Sequence, residues 1–108
     1  MAKGVMVVES RPEPAREDEF NRWYREVHVP EVLAVPGFVS VRRFKLRPRD
    51  VDAQEPPPTY LAVYDVESED LGAPLAELAA RSAAGQTQRS DAMSSDPPPV
   101  VRLFELVD

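Results

Sequence analysis

Apolar residues fall into four short runs rich in β-branched residues, and two longer stretches with helical spacing lie between these runs. The short runs predict strands, and the spaced stretches predict amphipathic helices. The order β-α-β-β-α-β predicts an α+β fold of the ferredoxin-like type, in which a four-stranded antiparallel sheet carries both helices on one face. The predicted strands are 4–9, 38–47, 59–66 and 100–107, and the predicted helices are 15–28 and 74 to about 85.

The first predicted helix has a strongly aromatic face. Phe20, Trp23, Tyr24 and Val27 follow the i, i+3, i+4, i+7 spacing of one helical face. His28 lies one turn after Tyr24 and extends the same face toward the interior. Pro30 is expected to end the helix, because a proline pushes the residue before it out of the α region. His28 is therefore predicted at the end of the helix, with a loose turn over residues 31–35.

The predicted strands have unusual faces. The first and third are apolar on both sides, and in the third Tyr60 and Tyr64 share a face that could look at the first helix. In the second strand the apolar residues change sides, which a β-bulge would reconcile. Helices on one side leave the other side of the sheet as an apolar patch. A second copy of the chain, packed sheet against sheet, is the simplest cover, so we expect a homodimer through the sheet face.

Composition excludes several classes of protein. A chain of 108 residues suits one domain, 1–108. It has no cysteine, so disulfides and thiolate metal sites are excluded. A net charge of −6 argues against nucleic acid as a partner. No apolar run approaches the roughly 20 residues of a membrane helix, and the N-terminus does not resemble a signal peptide, so no membrane partner and a cytoplasmic location are expected.

Two segments are predicted to lie outside the sheet and helices. Residues 47–58 carry charges and three consecutive prolines, which is typical of an exposed connection. Residues 86–99 are polar and then proline-rich, and are expected to form a mobile loop or a lid.

A family resemblance rests on the residues around His28. Trp23-Tyr24, His28-Val29-Pro30 and Pro36-Gly37-Phe38 have the register WY-x-x-x-H-x-P-x-x-x-x-x-P-G-F. This motif resembles that of EthD-like proteins of the dimeric α+β barrel superfamily. The resemblance covers the first half of the chain well, whereas the second half matches only in its order of elements.

The resemblance implies a range of functions. Members of the superfamily include cofactor-free polyketide cyclases, dehydratases, lactone isomerases and quinone-forming monooxygenases, as well as proteins with no known activity. Enzymatic members imply a pocket between helices and sheet, with a histidine as acid and base. Only His28 and the flanking Trp23, Tyr24 and Pro30 carry over.

The chemistry of imidazole supports the same residue. It titrates near pH 6.5, so His28 can both accept and donate a proton at cellular pH. Cyclisation, dehydration and isomerisation of a β-dicarbonyl compound all move a proton away from the carbon next to a carbonyl. The candidate catalytic residues are His28, Tyr24 and Tyr64, and the candidate substrate-binding residues are Trp23, Phe20, Ser40, Arg42 and Tyr60, with Ser40 and Arg42 as possible donors to an enolate oxygen.

The same residues also have simpler interpretations that involve no catalysis. His28 could instead cap the end of its helix, where a positive charge is favourable. The basic residues of the second strand are typical of a solvated edge that discourages edge pairing. Glu26 and Glu31 could orient the imidazole, although exposure to water is the more ordinary outcome. One histidine and scattered carboxylates form no recognisable metal site, and no phosphate-binding glycine loop is present.

The leading hypothesis is therefore a small enzyme without a cofactor, which acts on a polyketide-like or aromatic intermediate by acid/base chemistry. Cyclase, dehydratase and isomerase stay open. A cofactor-free monooxygenase of a phenolic substrate is an alternative, and so is a dimeric ligand-binding or stress-response module without catalysis.

Overall fold

The computed structural model of the chain describes residues 1–49, 51 and 54–108. Four antiparallel strands form one sheet in the order β2-β3-β1-β4, so the ferredoxin-like fold predicted above is confirmed. Each strand differs from its predicted range by a few residues only. The strands are β1 (Ala2–Ser10), β2 (Phe38–Lys45), β3 (Tyr60–Ser68) and β4 (Val100–Glu105).

The first helical region is longer than predicted and has two kinds of geometry. It consists of α1 (Glu17–Trp23), a π-helical segment (Tyr24–His28) and α2 (Val29–Leu33), which follow one another without a break. The last helix is α3 (Gly72–Ala83).

The prediction that Pro30 ends the helix is wrong. Val29, directly before the proline, keeps α-helical dihedral angles of φ −58° and ψ −48°, and its N–H bonds the carbonyl of Tyr24 five residues earlier. A proline inside a regular α-helix clashes with the carbonyl four residues before it. The wider π turn directly before Pro30 displaces that carbonyl, so the helix continues past the proline to Leu33. The loose turn predicted over 31–35 is therefore mostly helix.

One face of the sheet is buried under the helices. The inward-facing residues of the two central strands are Met6, Val8 and Ser10 in β1, and Ala62, Tyr64 and Val66 in β3. They pack with Phe20, Tyr24 and Val32 of the helical region in the core. The prediction that the tyrosines of β3 face the helix is thus confirmed.

A β-bulge in β2 decides which of its side chains share that core. The pairing of β2 with β3 shifts between Phe38 and Ser40, as predicted. After the shift, Val41 and Arg43 pair with Tyr64 and Ala62 on the helix side.

None of the described helices or loops covers the other face of the sheet. It carries the alternate residues of β1 and β3, including Val7 and Val63, which pair with one another and are half-buried. Phe44 of β2 and Phe104 of β4 are 46% and 50% exposed. This open face is the apolar patch that the sequence predicted.

The segment 86–99 is tied to the body of the protein. The backbone N–H of Glu13 bonds Ala92 at 2.7 Å, and that of Ser94 bonds Arg11 at 2.8 Å. Ala92 is fully buried. The segment is therefore fastened along its middle, and only part of it can act as a lid.

The predicted connection 47–58 lies partly outside the described residues, since 50, 52 and 53 belong to it. Among the residues that the structure describes, no helix combines the length and the apolar character needed to cross a membrane.

Candidate functional site

The His28 ring lies between two aromatic rings of its own helix. It stacks on Trp23 with ring centres 4.8 Å apart and an interplanar angle of 20°. Tyr24 meets it edge-on at 4.9 Å and 79°. Residues five apart point about 140° away from each other in a regular α-helix. The π turn brings Trp23 and His28 onto the same side, so the stack depends on the distortion before Pro30.

The surroundings of His28 favour the neutral imidazole. Burial lowers its pKa from the usual value, the carboxylate of Glu31 opposes that change, and the positive charge of Arg43 adds to it. Within the described part of the chain, neither ring nitrogen has a hydrogen-bond partner. A neutral imidazole with both nitrogens free can accept a proton at one and donate at the other.

The helix-cap interpretation of His28 is not supported. The helix continues to Leu33, so His28 is not at its end. A cap would also hold the imidazolium and raise its pKa, whereas the pKa of His28 is lowered.

Three buried hydroxyl groups lie around Tyr24, whose ring contacts His28. Burial raises the pKa of Tyr24, while interactions with the hydroxyls of Tyr64 and Ser10 act in the opposite direction. Burial also raises the pKa of Tyr64 well above its usual range, so both tyrosines are neutral. Yet the hydroxyl oxygens of Tyr64 and Ser10 lie buried without a hydrogen-bond partner of good geometry among the described residues. These hydroxyls are therefore available to a ligand or to water.

A half-buried guanidinium completes the cluster. The Arg43 carbon Cζ lies 4.2 Å from the centre of the Tyr24 ring, 5.3 Å from that of Tyr60 and 5.7 Å from that of Phe20. Its Nη2 donates to Asn21 Oδ1 at 3.0 Å, while its Nε is buried without a partner. Burial lowers the pKa of Arg43, although an arginine stays charged at any physiological pH.

A chain of polar contacts leads from Arg43 to the surface. Asn21 Nδ2 donates to the Tyr60 hydroxyl at 3.0 Å, and this hydroxyl donates to the carboxylate of Glu17. Lys45 Nζ lies 2.7 Å from the same carboxylate. The chain holds Asn21 in place, so Asn21 can in turn hold the guanidinium.

Gln88 closes the outer side of the stack. Trp23 Nε1 donates to the Gln88 carbonyl at 3.2 Å, and the Gln88 N–H donates to Glu31 Oε2 at 2.9 Å. The expectation that Glu31 faces water is wrong, because its Oε1 is buried. The backbone of Gln88 therefore bridges two residues that flank His28.

Comparison with known families places the chain. Residues 6–83 match the family model described as a domain of unknown function, DUF4286. The chain belongs to the DUF4286 family. No curated protein is significantly similar to it in sequence.

Solved structures share the fold of this DUF4286 protein. An EthD family protein from Bacillus halodurans C-125 has a TM-score of 0.63 and 13% identity, with 96% of this chain and 99% of that chain covered. The heme-degrader MhuD from Mycobacterium tuberculosis, solved with two hemes in its active site, has a TM-score of 0.56 and 20% identity over 95% of each chain. A dimeric ferredoxin-like protein of unknown function from Jannaschia sp. CCS1 has a TM-score of 0.55 and 17% identity, covering 96% and 99%. The resemblance to EthD-like proteins is thus confirmed in the fold.

The structure brings most of the predicted site residues of the DUF4286 protein together. His28, Tyr24, Trp23 and Phe20 lie on the helical region, and Tyr60 and Tyr64 face them from β3.

Ser40 and Arg42 lie elsewhere, on the open face of the sheet. Ser40 Oγ donates to Asp65 Oδ2 at 2.5 Å, and the Arg42 guanidinium lies 5.8 Å from the centre of the Phe44 ring. The bulge places both residues on the opposite side of the sheet from His28. Within one chain they do not reach the imidazole, so the enolate-donor pair predicted there is replaced by Arg43 and the buried hydroxyls.

Three residues of the cluster escaped the sequence analysis of the DUF4286 protein. Arg43 was grouped with the solvated edge, and Ser10 and Asn21 were given no role. Continuing the alternation of Met6 and Val8 by one step would have placed Ser10 inward, and a bulge before Ser40 would have placed Arg43 beside Tyr64. Among residues 1–49, 51 and 54–108, no three histidine or acidic side chains gather into a metal site.

Proposed function

We propose that this DUF4286 protein is a cofactor-independent acid/base enzyme, a cyclase, dehydratase or isomerase, acting on a polyketide-like or aromatic intermediate. His28 carries the proton, and the hydroxyls of Tyr24 and Tyr64 polarise a carbonyl oxygen. Trp23, Phe20 and Tyr60 form apolar walls for the substrate.

The observation that carries this proposal is the state of His28. Its imidazole is the only one in the chain, it is largely buried with a lowered pKa, and neither nitrogen has a hydrogen-bond partner among the described residues. A lowered pKa keeps the imidazole unprotonated at cellular pH, which is the form that accepts a proton. Buried groups with unmet hydrogen bonds and shifted pKa values are typical of functional sites.

The proton transfer follows from the arrangement. The imidazole removes a proton from the carbon next to a carbonyl. The electron pair of that C–H bond forms the C=C bond of an enolate, and the π pair of the carbonyl moves onto its oxygen. Hydroxyl donors stabilise the oxygen. The imidazolium then returns the proton at another carbon for isomerisation, or to a leaving hydroxide for dehydration.

We also propose that the enzyme is a homodimer joined through the open face of its sheet, with residues 1–108 as one domain. The exposed Phe44 and Phe104 support this, because a solvated apolar patch of that kind is costly. One of the structures with this fold is described as dimeric. The cytoplasmic location stays a prediction.

A ligand-binding module without catalysis is the second candidate. The closure of the Trp23–His28 stack by Gln88 favours it, because a closed site retains a ligand. In that case, the same residues would bind a small aromatic molecule without turning it over.

The test is proton exchange in D₂O with a panel of aryl ketones and cyclic β-dicarbonyl compounds, followed by NMR. The wild-type protein should exchange the proton next to the carbonyl of at least one of them. His28→Gln should lower that rate by 10²- to 10⁴-fold, roughly the contribution of a positioned acid/base group. Arg25→Gln, on the exposed side of the same π-helical segment, is the matched control and should exchange at the wild-type rate.

A single result would remove the catalytic assignment. If His28→Gln melts at a lower temperature but exchanges as fast per folded molecule, then the histidine is structural. Binding of a panel member without exchange would favour the ligand-binding module.

A further inference from the structure

In the interior cluster of Arg43, Tyr24, Tyr64 and Ser10, the described residues give the guanidinium no counter-ion and give two of the hydroxyls no hydrogen-bond partner. We propose that this cluster is an oxyanion subsite, which takes the enolate or phenolate oxygen of a small aromatic ligand. The inference rests on the proposed function, in that it names the kind of substrate atom that lies opposite His28.

The guanidinium of Arg43 carries a positive charge in a half-buried position. It packs against three aromatic rings, and none of the described carboxylates forms an ion pair with it. Glu17, the nearest acid in this network, is bound to Lys45 and Tyr60 instead. A charge removed from water costs free energy unless an opposite charge offsets it. An incoming anion would supply that offset.

The hydroxyls of Ser10 and Tyr64 are buried in the same cluster. Ser10 is 5% exposed and Tyr64 is fully buried, and the oxygens of both lack a hydrogen-bond partner among the described residues. Leaving a buried polar group unmet costs roughly 1–3 kcal/mol. Both residues lie with Tyr24 among the buried residues on the helix side of the sheet, and both hydroxyls lower the pKa of Tyr24 against the effect of its burial. An oxyanion bound beside Tyr24 would give these hydroxyls an acceptor.

Arg43 marks the partly exposed side of the cluster. Arg43, Asn21 and Tyr60 are only half-buried, so the cluster reaches the surface between α1 and β2. The oxygen of a flat phenol or enol would approach the guanidinium from this side.

The donors of the cluster decide the charge of its ligand. The guanidinium and the three hydroxyls can all donate, and Asn21 Oδ1, an acceptor beside them, is already bound by Arg43 Nη2. The rings of Phe20, Tyr24 and Tyr60 add flat apolar surface. Donors beside flat apolar walls favour an aromatic or enolic oxyanion over a cation or a neutral ether.

The experiment uses para-nitrophenol as the probe, because its phenolate form is coloured and its neutral form is not. Near neutral pH, the wild-type protein should bind the phenolate and increase its coloured fraction. Para-nitroanisole, which cannot ionise, should bind much more weakly. Arg43→Met should weaken phenolate binding by about 10- to 100-fold, as expected when a charged hydrogen-bond donor is lost.

Two controls separate this inference from others. Arg42→Met changes the neighbouring arginine on the open face and should leave binding unchanged. His28→Gln should change phenolate affinity by less than about threefold, even where it abolishes proton exchange, since this residue is not one of the donors. Failure of the subsite and failure of the proposed function therefore give different results.

Tyr64→Phe keeps the test decisive if Arg43→Met does not fold. Removing an unpartnered hydroxyl should leave the free energy of unfolding unchanged or increase it, while phenolate binding weakens about 10-fold. If the probe does not bind to the wild-type protein, or binds equally to the Arg43 and Arg42 variants, the subsite is refuted. A Tyr64→Phe variant that loses stability and keeps its affinity would show that the cluster is a structural network.

Discussion

At the scale of single residues, the site depends on which of two arginines adjacent in sequence faces the helices. Arg42 and Arg43 cannot be told apart by composition, and strand alternation alone places them on opposite faces without saying which faces the helix. The bulge after Phe38 decides it. The sequence suggested a bulge, but its position depends on how β2 pairs with β3, which is a long-range property. Arg43 was therefore missed, and Arg42 was selected in its place.

The six aromatic and imidazole candidates were found from sequence for a simple reason. Helical periodicity groups Phe20, Trp23, Tyr24 and His28 on one side, and strand alternation groups Tyr60 and Tyr64. Both rules depend on local geometry only. Ser10 was missed because the first strand is predicted to end at Glu9, one residue before it, whereas β1 continues to Ser10.

The burial of His28 predicts how stability changes with pH. Its pKa in the folded protein lies below the value of about 6.5 expected in the unfolded chain. As the pH falls below about 6.5, the unfolded state takes up the proton first, so the free energy of unfolding decreases. Chemical denaturation at a series of pH values should show this loss in the wild-type protein and a smaller loss in His28→Gln. Equal slopes in the two proteins would mean that the imidazole titrates normally.

At the scale of elements, the π-helical segment is the feature that sequence reasoning could not supply. Pro30 gave a clear helix-stop signal, and that signal is right for most helices. Here the turn before it widened instead, so α2 continues and carries Glu31 and Val32 to the site and the core. Distortions of this kind are frequent at functional sites, and this one creates the stack of Trp23 on His28.

The turn between α2 and β2 requires a glycine, and this requirement gives a prediction. Gly37 has φ +106°, and a Cβ there would lie 2.4 Å from Pro74 Cγ in α3. Gly37→Ala should therefore lower the free energy of unfolding by about 2–4 kcal/mol, from backbone strain together with the clash. Titration of both proteins with a chemical denaturant measures this loss in the free energy of unfolding.

Gly85 is the matched control for that substitution. It also has a positive φ, +74°, but a Cβ there would meet nothing within 4 Å. Gly85→Ala should cost only about 1 kcal/mol, from the backbone alone. If the two variants are equally stable, α3 does not pack against the turn as described.

At the scale of the whole molecule, the order of the elements was predictable because each strand and helix has its own local pattern. The arrangement β2-β3-β1-β4 then follows from the few ways in which such an order can fold. The apolar open face was also readable from sequence, since β1 and β3 are apolar on both sides. What covers that face was not readable, because a partner leaves no separate signal in the chain.

The homodimer gives the prediction at this scale. Val63 lies in the central strand β3 on the open face, so Val63→Lys places a charge where two sheets would meet. The wild-type protein should be a dimer that buries on the order of 1,500 Å², and the variant should be a monomer of unchanged helix content. Ala76→Lys, on the exposed side of α3, should remain a dimer. Light scattering at micromolar concentration measures both, and a monomeric wild-type protein would refute the sheet-to-sheet assembly.

His28 is the proposed proton carrier, and the pH dependence of the exchange reaction is the sharpest test of that role. The wild-type rate should rise with pH and level off, with a midpoint below 6.5. Because the chain has one histidine, the NMR titration of its ring proton gives an independent midpoint, and the two must coincide. His28→Gln should lose the rising limb and be 10²- to 10⁴-fold slower on the plateau. A rising limb that persists in His28→Gln, or one whose midpoint differs from the NMR titration, would contradict the account.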